Sequence, residues 1–140
     1  MRRHILVADD EEQTLLALTL VLNKAGFEVT TFNDGAEALD RVLDLTAAGE
    51  PIDLLVIDID MPGMTGVEVI EAIERLKLVL PTIVISGYEA RGLLAERLKL
   101  GCVWFLEKPF EPEEIIGKVH DVIKQADIWA GQLSKDARGR

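Results

Sequence analysis

Aromatic residues supply only 5% of this 140-residue chain, so a folded core has to be assembled from Leu, Val, Ile and Ala. A single cysteine, Cys102, excludes an internal disulfide, and its place in an apolar run reads as a buried, reduced thiol. Basic residues are too few to match the acids, 15 against 25, and the resulting net charge of −10 sets up a field that repels nucleic acid and anionic membrane. No apolar run approaches the ~20 residues needed to cross a bilayer. The first run, His4–Ala8, is cut off by Asp9-Asp10 too early to serve as a signal peptide. Repeats and low-complexity segments are also missing. These absences together lead to the expectation of one soluble, cytoplasmic domain.

What the chain has in abundance is short apolar segments, within a hydrophobic content of 49%. Five of them, rich in β-branched residues, read as strands: His4–Ala8, Glu28–Phe32, Leu54–Asp58, Thr82–Ser86 and Val103–Leu106. Helical patterns alternate with them at Glu11–Ala25, Gly35–Ala48, Gly66–Leu76, Ala90–Leu100 and Glu113–Ile128. Gly26, Gly49 and Gly101 follow three of these helices as stop signals, and Pro112 suits the first turn of the last. Strict alternation predicts an α/β fold, a doubly wound five-stranded parallel sheet of (βα)5 type with helices on both faces. The central strands are continuous apolar runs, not period-two patterns, as strands covered on both sides should be. Residues 1–125 are expected to form the domain. Residues 126–140, ending SKDARGR, lose the apolar rhythm and read as a helix extension or linker.

In such a sheet ligands gather at the carboxyl ends of the strands. The first strand ends in Asp9, Asp10 and Glu11, and the third in Asp58 with Asp60 two residues on. The fourth ends in Ser86-Gly87, and Lys108-Pro109-Phe110 follows the fifth. Each is ordinary by itself: acids after a strand cap helices, and Ser-Gly and Lys-Pro make turns. Their convergence on one edge is not explained that way. Several carboxylates a few ångströms apart repel, and one takes up a proton unless a cation intervenes. An all-oxygen set with no competing Cys/His cluster suits Mg²⁺ or Mn²⁺. Phosphoryl transfer requires charge neutralisation at the equatorial oxygens, and a metal, Lys108 and Ser86 would supply it around Asp58 as acceptor.

The residues resemble the receiver domain of two-component response regulators over about residues 3–125. The motifs fall in register: Asp9-Asp10, VIDIDMPGMTG with Asp58, Met61-Pro62 and Gly66, then Ser86-Gly87, then Lys108-Pro109-Phe110. The resemblance implies a flavodoxin-like strand order 2-1-3-4-5. It implies that Asp58 is the phosphoacceptor, served by a histidine on a sensor kinase or histidine phosphotransfer protein. Asp10 and Asp58 would ligate Mg²⁺ with the backbone carbonyl of Asp60, and Asp9 would act mainly through water. Lys108, before a cis bond to Pro109, would pair with the phosphoryl group, and Gly87 would leave the line of attack open. Ser86 and Phe105 would form the switch, steric because Phe105 lacks the hydroxyl of the more usual tyrosine. Asp60 and Tyr88 occupy positions that tune phosphate lifetime in relatives. The chain would then be a signalling domain that catalyses only its own phosphorylation and slow autodephosphorylation.

Three rival readings compete with this one, of which a flavodoxin-like binding module fails because a phosphate-cradling first loop should be rich in Gly, Ser and Thr and not in Asp and Glu. A haloacid dehalogenase-type phosphatase shares the Asp-x-Asp strand end of VIDID, but in that family the nucleophile strand comes first and the acidic pair late. A receiver-like interaction module without phosphorylation leaves the full set of site residues unexplained. For partners, Thr14, Ala17, Leu18, Val21, Leu22 and Ala25 are expected to face the sheet, which turns Leu15, Leu16 and Leu20 outward as a kinase-docking patch. Trp104 and Phe105, beside Arg91, Arg97 and Lys99, suggest an output face for a downstream protein, formed by the helix at Ala90–Leu100, the fifth strand and the last helix. The expected state is a monomer or a phosphorylation-dependent dimer, without direct contact to nucleic acid or membrane, either free-standing or part of a longer regulator. His4 and His120 read as structural or solvated.

Overall fold

The structure is a computed structural model and describes residues 2–87 and 102–138. Its strands are β1 (His4–Ala8), β2 (Glu28–Phe32), β3 (Leu54–Asp58), β4 (Thr82–Ser86) and β5 (Val103–Glu107). The helices are α1 (Glu12–Lys24), α2 (Gly35–Ala47), α3 (Gly66–Arg75) and α4 (Pro112–Arg138). The helix expected at Ala90–Leu100 lies outside the described residues, as do Tyr88, Arg91, Arg97 and Lys99. All strand pairs are parallel, in the order β2-β1-β3-β4-β5. This is the doubly wound, flavodoxin-like order that the motifs implied.

The apolar runs are continuous because successive side chains enter different layers. Ile5, Val7, Leu54, Val56, Ile83 and Ile85 pack with Leu18 and Leu22 of α1 and with Ile115, Val119 and Val122 of α4. Leu6, Ala8, Leu55, Ile57 and Val84 pack with Ala38 and Val42 of α2 and with Val69, Ile70 and Ile73 of α3. Twenty-odd buried aliphatic side chains thus replace the missing aromatics, each fully buried one stabilising by roughly 1.5–3 kcal/mol before the entropy of ordering is set against it.

Helix ends follow local chemistry. Asp34 caps α2 by accepting from the backbone N–H of Ala36 at 2.6 Å, and Thr65 with Glu68 forms a reciprocal capping box on α3. Gly26 and Gly49 take positive φ (97° and 72°) just past α1 and α2. The end of α3 has no glycine, and Lys77 takes positive φ (58°) there instead, while Gly101 lies outside the described residues.

The last helix is longer than its apolar rhythm implied. It runs for 27 residues, unbroken through Ile128 to Arg138, about 40 Å at 1.5 Å per residue. Past the core it follows the amino edge of the sheet, where Arg3 binds Asp127 at 2.7 Å and Asp53 at 3.3 Å. Trp129 there stacks on Trp104 of β5, with centroids 5.6 Å apart and planes at 27°.

Candidate functional site at the carboxyl edge

Register brings the site together. Ala8 is level with Ile57 and Ile57 with Val84, so the next residues along β1 and β3, Asp9 and Asp58, emerge side by side, with Ser86 close on β4. Gly66 keeps this edge compact, since a Cβ there would overlap the carbonyl oxygen of Asp58. The backbone N–H of Gly66 donates to the Ile59 carbonyl at 3.0 Å, which seats the start of α3 directly beneath the acid. The Lys108–Pro109 bond is cis.

Asp58 is 4% exposed, and its two carboxylate oxygens have different partners. Oδ1 accepts from the backbone N–H of Asp60 at 3.1 Å, and Oδ2 accepts from Lys108 Nζ at 2.8 Å. Asp9 is wholly buried; its Oδ1 accepts from the Glu11 N–H at 2.9 Å, but its Oδ2 has no hydrogen-bond partner among the described residues. Lys108 Nζ stands 3.7 Å from that oxygen and 3.9 Å from Glu11 Oε1. One ammonium is therefore shared among three carboxylates.

Electrostatics follow from this crowding. Burial raises the Asp9 carboxyl from the ordinary 3.8 to about 6, with the Asp58 and Asp10 charges adding to the rise and the Glu11 N–H and Lys108 opposing it. Burial alone would lower Lys108, but the hydrogen bond and charge of Asp58, with Asp9 and Glu11 further off, hold it above its ordinary value. Asp9, Asp10 and Asp58 each place a carboxylate oxygen within 4.8 Å of the others. A buried oxygen without a donor inside an all-carboxylate cluster fits a hard divalent cation. The space beside Gly87 is open, a Cβ there meeting nothing within 4 Å among the described residues.

Residues 5–120 match the family model described as the response regulator receiver domain. This chain belongs to that family. Among curated proteins it is 34% identical over 124 residues to the transcriptional regulatory protein FixJ of Bradyrhizobium diazoefficiens, covering 89% of this chain and 58% of the relative. It is 32% identical over 130 residues to the alkaline phosphatase synthesis transcriptional regulatory protein PhoP of Bacillus subtilis, covering 93% of this chain and 52% of the relative. The receiver thus spans somewhat over half the length of these two relatives. Among solved structures, full-length FixJ from B. japonicum aligns with a TM-score of 0.77 at 33% identity, covering 94% of this chain and 62% of that one. The chemotaxis protein CheY4 of Vibrio cholerae aligns at 0.74 with 27% identity, covering 87% of this chain and 99% of that one. The expectation of no contact with nucleic acid finds no support here, because the relatives are named as transcriptional regulators. No helix among the described residues is long and apolar enough to cross a membrane.

Asp9, Asp10, Asp58, Asp60, Ser86, Gly87 and Lys108 of this receiver all reach the one edge. The partner surfaces need correction. Leu15 does not face outward: it is half-buried against the α1–α4 layer, because the inward stripe of α1 takes it in beside the expected Leu18, Val21, Leu22 and Ala25. Ala17, expected inside, is exposed. Leu16 and Leu20 are exposed, at 60% and 67%. Trp104 and Phe105 do not share a face. Phe105 packs toward α2 and α3, whereas Trp104 packs toward α1 and α4 and is covered by Trp129. His4 bonds the Thr30 hydroxyl at 2.7 Å, and His120 lies against the ring of Phe27. Sequence reasoning gave Glu11 no role beside Lys108; its adjacency to Asp9-Asp10 was the available signal.

Proposed function

We propose that the chain is a phosphoacceptor. Asp58 attacks the phosphorus of a phosphohistidine on a sensor kinase or histidine phosphotransfer protein. The P–N bond breaks, its electron pair stays with the imidazole, and a P–O bond to the Asp58 carboxylate forms. The observation that carries this reading is the environment of Asp58: a buried carboxylate held on one oxygen by Lys108, beside an Asp9 oxygen that has no donor among the described residues. Asp9, Asp10 and Asp58, with the Asp60 carbonyl, would hold Mg²⁺ (or Mn²⁺), which offsets charge on the phosphoryl oxygens when bound. Lys108 pairs with the transferred group and Ser86 donates to it. The new dianion biases Ser86 and Phe105 toward a second arrangement, and this is the signal passed to a downstream protein. The exposed Leu16 side of α1, with Leu15 at its margin, serves kinase docking. The same site releases its phosphate slowly to water, without turnover of other phosphate esters.

Treatment with a small acyl phosphate and Mg²⁺ tests the reading by intact mass. The wild-type chain should gain one phosphoryl group and Asp58→Asn none. A phosphoryl group on the Asp58→Asn variant would remove Asp58 from the acceptor role.

A further inference from the structure

The chain contains two tryptophans, and they stack on each other. Trp104 lies on β5 one residue before Phe105, and Trp129 lies on α4 past residue 120, where the family match ends. Beside the stack, Asp127 is anchored to Arg3 at 2.7 Å, next to the start of β1. The far end of α4 is therefore fastened to both β5 and the β1 side of the sheet. Residues beyond those a receiver is matched on are packed into the receiver body.

Among the described residues β5 is an edge strand, hydrogen-bonded to β4 and to no other strand. Its carboxyl end leads into Lys108, whose N–H donates to the Ser86 carbonyl at 2.8 Å and whose Nζ holds Asp58 at 2.8 Å. Phosphorylation would turn one Asp58 oxygen into the bridging oxygen of an acyl phosphate and shift the anionic charge to the phosphoryl group. Lys108 must follow that charge. An edge strand with one hydrogen-bonded neighbour can shift at lower cost than a central one, and Trp104 sits on that strand.

We propose that the Trp104–Trp129 stack is a second readout of the site. It transmits the charge state of Asp58 along β5 to the far half of α4, on the face of the sheet opposite Phe105. This rests on the acceptor reading above. By linkage the coupling works in both directions, so loosening the stack alters how well the phosphorylated state is held.

Because both tryptophans are in the stack, tryptophan emission arises from its two rings alone, and the Trp129 variants separate the stack from the surroundings of Trp104. Wild type, Trp129→Leu, Trp129→Phe and Asp58→Asn are treated with acyl phosphate and Mg²⁺, and mass and emission are followed on the same samples. The expected result is a mass gain with a shift in emission in wild type and neither in Asp58→Asn. At least one Trp129 variant that melts cooperatively should gain mass, lose the emission shift, and change the steady-state phosphorylated fraction by about threefold or more. A mass gain without an emission shift in wild type overturns the proposal and leaves the acceptor reading standing. An identical Trp104 shift in the Trp129 variants does the same. No mass gain in wild type overturns both.

Discussion

At the carboxyl edge of the sheet, Asp9 and Asp58 are buried and share Lys108 with Glu11, and one Asp9 oxygen has no donor among the described residues. At the amino edge, Asp53 and Asp127 also share one cation, Arg3, but they are partly open to water and Asp53 accepts a further bond from the His4 N–H at 2.8 Å. The strands and the layers are the same at both edges. What differs is whether the charges are satisfied. An edge built only for stability would pair its acids or leave them in solvent. The carboxyl edge pairs Asp58 with Lys108 but leaves an Asp9 oxygen buried without a donor among the described residues, and this excess of negative charge is what a metal cation would answer.

The largest expected effect therefore belongs to the carboxyl edge. Asp58→Asn should abolish phosphoryl uptake from acyl phosphate, because the amide is no nucleophile and holds Lys108 only weakly. No single substitution at the amino edge should abolish uptake. If one did, the division of labour between the two edges would be wrong.

Next comes Asp9. Its carboxyl holds a proton up to about pH 6 in the folded chain, against 3.8 ordinarily. The folded state thus binds more protons than the unfolded one between those values. Asp9 favours folding most at low pH and loses that contribution as pH rises through about 6. In metal-free buffer, wild type relative to Asp9→Asn should lose on the order of 2 kcal/mol between pH 4 and 7 by urea unfolding. Mg²⁺ should flatten the difference, and the variant should bind Mg²⁺ about tenfold or more weakly. A pH-independent difference would mean that Asp9 is not under strain.

Arg3→Gln probes the satisfied edge and should cost less. Both ion pairs involve half-exposed side chains, and Asp53 keeps its backbone donor, so about 0.5–1 kcal/mol is expected. The cost should shrink at 1 M salt, where the Debye length is about 3 Å. A loss independent of salt would point to the packing of the Arg3 stem under α4 instead of its charge.

The two edges also differed in how well the sequence exposed them. The carboxyl edge was legible because its residues follow strands at fixed positions, and register alone brings Asp9 to Asp58. The core was legible for a related reason: a run such as LLVID at β3 has to be covered on both faces. The amino edge was not legible. Arg3, Asp53 and Asp127 are single charges far apart in the chain, with no periodic signal. Trp129 sits in a stretch whose apolar rhythm had faded, and only the three-dimensional path of α4 brings it to Trp104. The phase of α1 was legible, with Thr14, Leu18, Val21, Leu22 and Ala25 turned inward and Leu16 and Leu20 outward, and only Leu15 and Ala17 at the margins of the stripe fell on the other side. A leucine-rich helix offers several nearly equal stripes, and the choice among them is made by the layer it meets.

The smallest effect has the opposite sign and falls at the amino edge, where α3 turns toward β4. Lys77 has φ 58°, its N–H donates to the Glu74 carbonyl at 2.9 Å, and the Leu78 N–H reaches back to the Ile73 carbonyl at 3.3 Å. This is the Schellman arrangement that glycine normally completes, as Gly26 and Gly49 do after α1 and α2. A side chain at positive φ costs roughly 1–2 kcal/mol through the clash of Cβ with the following carbonyl. Glycine removes that clash but gives the unfolded chain more freedom, returning about 0.5–1 kcal/mol of the gain. Lys77→Gly should therefore stabilise the protein by about 0.5–1 kcal/mol, a rise of a few degrees in melting temperature. The exposed ammonium of Lys77 has no hydrogen bond or ion pair among the described residues that would offset this. A lower melting temperature would show that the lysine stem, lying along the groove with Ile73, Leu78 and Val79, contributes more by packing than its backbone costs.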